Sequence, residues 1–252
     1  RVAAMLDLDP GGFAEGEPLP RGWQFLLMAA DTPRSQLRGD GFPGLGVPMP
    51  EHGFPRLLLG GRAVEFHADI PIGAKVRRTS RALELAHKTT ASGPMAVATI
   101  VHELFAGDAI APALRETQTY LLMGEGRPAR TDGGAPGEVA GERACVVTPD
   151  ATLLFQYSAL GFNSHRIHLD RAYAREVEGF PDLVVNGGVV SLLLTEFLRN
   201  DIGCVPRSLR IRHLAPLFCD RPITLTADRA GSLWRLRAYD EKGRPAADME
   251  VE

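Results

Sequence analysis

Two histidines standing three residues apart, His165 and His168, share a short polar stretch with Asn163 and Arg166 in a chain that holds only seven histidines. A neutral imidazole near its ordinary pKa suits both proton abstraction and proton return at neutral pH. An amide such as Asn163 orients water or substrate but cannot act as a base. The same spacing admits two other uses. The histidines form a metal pair, although HxxH without nearby Cys or Glu ligands is a weak zinc signal, or they are structural groups bonded to backbone. A second feature lies downstream, where Asn186-Gly187-Gly188 opens a strongly apolar run. Glycines let a ligand oxygen approach the backbone, and the free N–H groups and dipole of a helix start stabilise negative charge. The plainer use of Asn186 is as a helix cap.

These groups need elements to hold them. Val64–Ile70, Lys75–Ala86, Met95–Phe105 and Arg115–Leu122 read as strands of an antiparallel meander, separated by turn residues. Before them, residues 1–62 are punctuated by Pro and Gly, with one short helix expected near Trp23 to Ala30. Met123 to Arg143 is rich in Gly and Pro and reads as an exposed linker. Beyond it the pattern predicts a strand over Leu153–Leu160, then the polar loop, then a long helix from about Gly188 to Asn200. Strands follow near Ser208–His213, Pro222–Asp228 and Trp234–Tyr239, with a fourth at Ala247–Val251. The helix is apolar nearly all round and too short to span a bilayer, so it should be wrapped in sheet.

An internal echo links the two halves. Val64, Phe66, Pro71, Ile72 and Thr79 recur as Leu209, Ile211, Pro216, Leu217 and Thr224 at one constant offset. One helix wrapped by a curved antiparallel sheet is a hotdog. The expected class is therefore α+β, a double hotdog. Residues 1–122 form an N-terminal, non-catalytic unit shaping the pocket, 123–143 a linker, and 144–252 the unit carrying the chemistry.

Composition sets bounds. Hydrophobic residues make up 44% and charged residues 23%, with a formal net charge of -3 and no long block of one sign. A broad nucleic-acid face is not expected. No apolar run approaches the roughly 20 residues of a membrane span. Cys145, Cys204 and Cys219 form neither a zinc-like spacing nor a disulfide framework, and read as small apolar residues in a reducing compartment. The expected location is the cytoplasm, with an organelle matrix left open, and a homodimer is possible.

The stretch YSALGFNSHRIHLD, residues 157–170, resembles the motif of the MaoC-like dehydratases and (R)-specific enoyl-CoA hydratases, approximately Y-x-x-x-G-D-x-N-P-I-H. It is more similar still to the variant in mesaconyl-CoA and itaconyl-CoA hydratases and in mitochondrial 3-hydroxyacyl-thioester dehydratases. EGFPDLVVNGGVV, RIRHLAPLFCDRPI, DGFPG and PRLLLGG extend the likeness over nearly the whole chain. The resemblance implies that His168 is the catalytic histidine. Asn163 stands where the family has Asp, His165 where it has Asn, and Arg166 where it has Pro. Without the Asp, either His168 works alone while Asn163 positions water, or His165 supplies the second ionisable group. Asn186 stands where related sequences often carry His, and Asn186, Gly187 and Gly188 would line the thioester carbonyl. Arg166 is a further candidate for substrate binding.

The resemblance implies a hydro-lyase acting on an enoyl-CoA, with a short branched or dicarboxylic acyl group of the mesaconyl or itaconyl type. The alternative within the same class is a 3-hydroxyacyl-thioester dehydratase of fatty-acid or polyketide assembly. The partner is an acyl-CoA or acyl-carrier thioester, and no metal or redox cofactor is implied. Arg56 or Arg62 would read a terminal carboxylate if the N-terminal half accommodates the acyl chain. Glu196 is assigned a hydrogen-bonded structural role, and Asp170 a helix cap. Arg210 and Arg212, thrown to one face of their strand, either meet CoA phosphates or form a solvated face. A different class stays open: a hotdog that binds thioesters without hydrating them, or one that hydrolyses them.

Overall fold

The computed structural model describes residues 1–49, 53–90, 93–124 and 137–252. Nine strands form one antiparallel sheet: β1 (Arg56–Phe66), β2 (Val76–Thr90), β3 (Gly93–Ala106), β4 (Leu114–Met123), β5 (Arg143–Val147), β6 (Ser208–His213), β7 (Ile223–Ala230), β8 (Leu233–Tyr239) and β9 (Pro245–Val251). Their order across the sheet is β2-β3-β4-β1-β6-β9-β8-β7-β5. Strands β1 to β4 thus lie on one side and β5 to β9 on the other, joined where β1 pairs with β6.

That junction carries the internal echo. Val64 pairs directly with Leu209, and Ala63 and Glu65 pair with Arg210 and Ser208. Val64 and Leu209 are matched positions of the sequence echo, and they face each other across the β1–β6 pair. β1 begins at Arg56, earlier than the alternation around Val64 indicates, and its register shifts between Leu59 and Gly61. The extra residue locally breaks the side-chain alternation, and Leu57, Leu58, Leu59 and Arg62 all line one cavity.

Three helices are named: α1 (Val2–Met5), α2 (Ala151–Leu160) and α3 (Gly187–Phe197). In α3 every residue except Gly187 and Leu193 is buried. It shares one core with Leu209, Ile211, Leu225, Leu236 and Met249 of the sheet. Burying each of its leucines contributes about 2 kcal/mol, which explains a helix with almost no polar face. A π-helical turn, Leu198–Ile202, continues it. The expected helix near Trp23 is a short 3₁₀ segment, Trp23–Met28. Trp23 Nε1 donates to Glu196 at 2.8 Å, and Arg199 and Asn200 also donate to that carboxylate. Glu196 is therefore a strut tying α3 to the N-terminal segment.

One expectation needs correction. Leu153–Leu160 is not a strand but most of α2. The Asp150 side chain caps it by accepting from Leu153 N at 2.7 Å, and its buried residues Leu154, Tyr157 and Ser158 follow helical spacing. Four large apolar residues in five positions imitated a strand. The linker expected over 123–143 falls between the end of β4 at Met123 and the start of β5 at Arg143; its residues 125–136 lie outside those described. Among the described residues no helix is long and apolar enough to cross a membrane.

Candidate active site

The polar loop after α2 is fastened from the N-terminal segment. Arg166 N donates to Asp40 O at 2.8 Å, and Ser164 Oγ donates to Gly41 O at 2.6 Å. Gly41 has φ +78, and a Cβ there would lie 2.3 Å from Ser164 O, so only glycine permits the close approach. The DGFPG segment is therefore a brace for the loop that carries both histidines. Phe42 meets the His165 ring edge-on at 5.5 Å, and Asp40 Oδ2 lies 3.7 Å from His165 Nε2.

His165 and His168 are both buried, with ring centroids 5.5 Å apart. His168 Nδ1 lies 2.7 Å from Val184 O. A carbonyl only accepts, so Nδ1 carries the hydrogen and Nε2 keeps its lone pair. Burial, reinforced by His165, lowers the His168 pKa to about 3, so its ring is neutral across the physiological range. Burial also lowers His165, against the opposing pull of Asp40.

Asn163 Oδ1 accepts from His165 N at 3.1 Å, which holds the loop and leaves the amide nitrogen without a partner among the described residues. Asn186 makes no side-chain cap on α3. Its Nδ2 donates to Ser158 Oγ at 3.2 Å, while its buried Oδ1 has no partner among the described residues. The first N–H groups of α3 have no carbonyl one turn earlier to meet. Gly188 is required by Tyr157, because a Cβ at 188 would sit 1.9 Å from the phenol oxygen.

One cavity of about 270 Å³ brings these groups together. Asn163, His165, His168, Asn186, Gly187 and Gly188 all line it. Leu57, Leu59 and Leu121 supply apolar wall from β1 and β4, so both sides of the sheet contribute. A neutral imidazole with a free lone pair, an amide and an open helix N-terminus around one apolar space can deprotonate water and stabilise an oxyanion.

Comparison with known proteins gives the family and the fold. The hydroxyacyl-thioester dehydratase type 2 family matches residues 22–219. The chain belongs to this family. It is 34% identical to the mesaconyl-C(4)-CoA hydratase of Chloroflexus aurantiacus over 253 residues, covering 100% of this chain and 90% of that protein. It is 25% identical to the mitochondrial hydroxyacyl-thioester dehydratase type 2 of Schizosaccharomyces pombe, covering 86% and 80% respectively. Among solved structures, HtdX of Mycobacterium tuberculosis superposes with a TM-score of 0.67 at 17% identity, covering 99% of this chain and 92% of that one. A MaoC-like dehydratase of Phytophthora capsici gives 0.59 at 19% identity, covering 81% and 72%. These likenesses bear out the α+β hotdog fold, and membership makes the chain a hydro-lyase.

Within this dehydratase-family chain, two expected substrate-binding residues lie apart from the cavity. Arg166 is exposed, bonded to Asp170 Oδ2 at 2.7 Å and stacked over Tyr173. Arg56 pairs with Glu178 at 3.0 Å. Both lie in β-strand or loop positions whose acidic neighbours claim the guanidinium. Arg62, by contrast, lines the cavity. Asp170 caps the turn at Tyr173 as expected, accepting from its N–H at 3.0 Å. Arg212 is bonded to Asp248 at 2.9 Å on an exposed face. Among the described residues no group of three or more His, Cys, Asp or Glu could hold a metal ion.

Four cavity or loop residues escaped the sequence reading: Asp40, Tyr120, Tyr157 and His213. Tyr157 heads the quoted motif and His213 ends a recognised strand, so their positions were visible while their approach to Gly187 and Gly188 was not. His213 is pushed to about 3 by burial and then by Arg62. Both low histidines have consequences for stability. An unfolded chain protonates them near pH 6.5 and the folded one does not. Stability is therefore full above that value and is lost as pH falls from about 6.5 towards 3. The thermal unfolding midpoint should drop between pH 7 and pH 5, and drop less in His213→Gln.

Proposed function

We propose that the protein reversibly hydrates the carbon–carbon double bond of an enoyl-CoA, with a short branched or dicarboxylic acyl group of the mesaconyl type. The observation carrying this reading is the neutral, buried His168, whose unprotonated Nε2 shares a cavity with Asn163 and the start of α3. The similarity to a mesaconyl-C(4)-CoA hydratase supports the acyl class.

In the hydration direction, water is held between Asn163 and His168 Nε2. The imidazole takes one proton as the oxygen attacks Cβ. Electron density moves through the thioester to its carbonyl oxygen, where the N–H groups of Gly187 and Gly188 and the helix dipole stabilise the enolate. The imidazolium forms only beside that developing negative charge, which offsets its burial. Its proton then passes to Cα, completing the addition. Dehydration runs the same steps backwards, and the family's own description as dehydratases of hydroxyacyl thioesters favours that direction as a second reading. In this scheme His165 is a positioning residue, backed by Asp40, and the N-terminal unit shapes the pocket rather than supplying a base.

The test is loss of enoyl-thioester absorbance in the ultraviolet with crotonyl, mesaconyl and itaconyl thioesters, followed against free-thiol release. Absorbance loss without thiol supports hydration; thiol release without it would make the protein a thioesterase, and neither would leave a binding protein. A sharper expectation concerns Asn163→Asp, which introduces the carboxylate of the general motif at nearly the same size. It should keep measurable activity and gain an acidic limb in its pH–rate profile as the new group titrates.

A further inference from the structure

Five buried side-chain polar atoms lack a partner among the described residues, and three of them, Arg62 Nε, Asn186 Oδ1 and His213 Nε2, belong to side chains lining the active-site cavity. Buried polar groups are nearly always hydrogen-bonded, so their collection around one space indicates a polar guest. Asn186 lies at the start of α3, where the thioester oxygen is assigned. Arg62 and His213 need something else.

Arg62 is an expensive residue for an apolar acyl pocket. Its side chain is only 10% exposed, and its ion-pair partner Glu116 stands 3.3 Å away. Glu116 is fully buried and also accepts from Gln118 Nε2 at 2.7 Å and Gln24 Nε2 at 3.1 Å. The carboxylate is thus satisfied without occupying the whole guanidinium, which has five N–H groups to place. Burial opposes the charge, but Glu116 and the hydrogen-bonded Tyr157 outweigh it, so Arg62 remains a cation. Burial also raises Tyr157 to about 12, which keeps its hydroxyl a donor. His213 Nε2 would lie 3.2 Å from a Cβ placed on Gly187, and the Tyr157 hydroxyl crowds Gly188. Arg62, Tyr157 and His213 therefore gather beside the positive end of α3.

We infer that Arg62, with Tyr157 and His213, forms a subsite for a carboxylate carried on the acyl group of the thioester. Arg56 cannot serve, because Glu178 holds it and it does not line this cavity. The guanidinium and the His213 N–H tautomer donate to the carboxylate, and the α3 terminus adds positive potential. The inference rests on the proposed hydration reading for the kind of molecule bound, while its own content is the charge at the far end of that molecule.

Binding of two saturated probes separates the two claims, since neither can be hydrated. Freshly prepared succinyl-CoA and butyryl-CoA have the same chain length and differ by a terminal carboxylate against a methyl. Calorimetric titration of the wild type should give succinyl-CoA a preference of roughly 100-fold. Arg62→Met should bring that ratio near one, and Arg62→Lys should retain part of it. His213→Leu, which keeps the buried ion pair, should lower the ratio about tenfold and serves if Arg62→Met fails to fold. Equal affinity for the probes in the wild type overturns the subsite, as does an Arg62→Met or His213→Leu effect that weakens both probes alike. Hydration of crotonyl-CoA with no carboxylate preference would remove the subsite and leave the reaction. A carboxylate preference without any hydration would do the reverse.

Discussion

His168→Ala is expected to lower kcat for hydration by about 100-fold to 10,000-fold, the span of general acid–base catalysis. The ring is held by one hydrogen bond to Val184 O and presents its other nitrogen to the cavity. Its loss removes the only base the scheme uses. The low pKa adds a second expectation. With the folded value near 3, the wild-type rate should not fall around pH 6.5 as it would for an ordinary histidine. Steady-state rates from pH 5 to 8 check this. His165→Ala should cost less, through lost positioning of the loop. Near-normal turnover in His168→Ala with turnover abolished in His165→Ala would exchange the two roles.

The second large effect is expected at Gly188→Ala. An added Cβ would lie 1.9 Å from the Tyr157 phenol oxygen and 2.7 Å from its Cζ. Both atoms cannot occupy these places, so Tyr157 or the start of α3 must shift by about an ångström. A displacement of that size at a catalytic constellation can cost about 100-fold in rate, and the overpacking about 1–3 kcal/mol in stability. Gly187→Ala is the control. Its Cβ would meet His213 Nε2 at 3.2 Å and Leu59 Cδ2 at 3.3 Å, contacts that small side-chain movements relieve. Its loss should stay within about tenfold on the same principle. Kinetics and thermal denaturation of both variants decide the matter, and a fully active Gly188→Ala would remove the helix terminus from the mechanism.

Much of the candidate site's grouping was legible because it is local. Asn163, His165 and His168 fall in one loop, Asn186 to Gly188 precede an unmistakable apolar helix, and all six line the cavity. The echo positions Val64 and Leu209 also lie opposite each other in the β1–β6 pair. What was hidden depends on chain crossings. Asp40 reaches His165 from the distant DGFPG segment, whose likeness to the family carried no sign of this contact. Arg56 and Arg62 were indistinguishable as charges in one stretch; Glu178 holds Arg56 away from the cavity, while Arg62, paired with Glu116, lines it. α2 was misread because Leu153, Leu154, Phe155 and Tyr157 favour either element, and only the Asp150 cap and burial at helical spacing separate the two.

The central claim is that the buried imidazole of His168 moves a proton between water and Cα of an unsaturated thioester. The most direct measurement is nuclear magnetic resonance of the product formed from mesaconyl-CoA in deuterated water. The predicted product is a 3-hydroxyacyl thioester with one deuteron at C2, formed stereospecifically by the wild type and at a rate reduced at least 100-fold by His168→Ala. Free coenzyme A with the double bond intact, or deuterated product formed equally fast by His168→Ala, would contradict it.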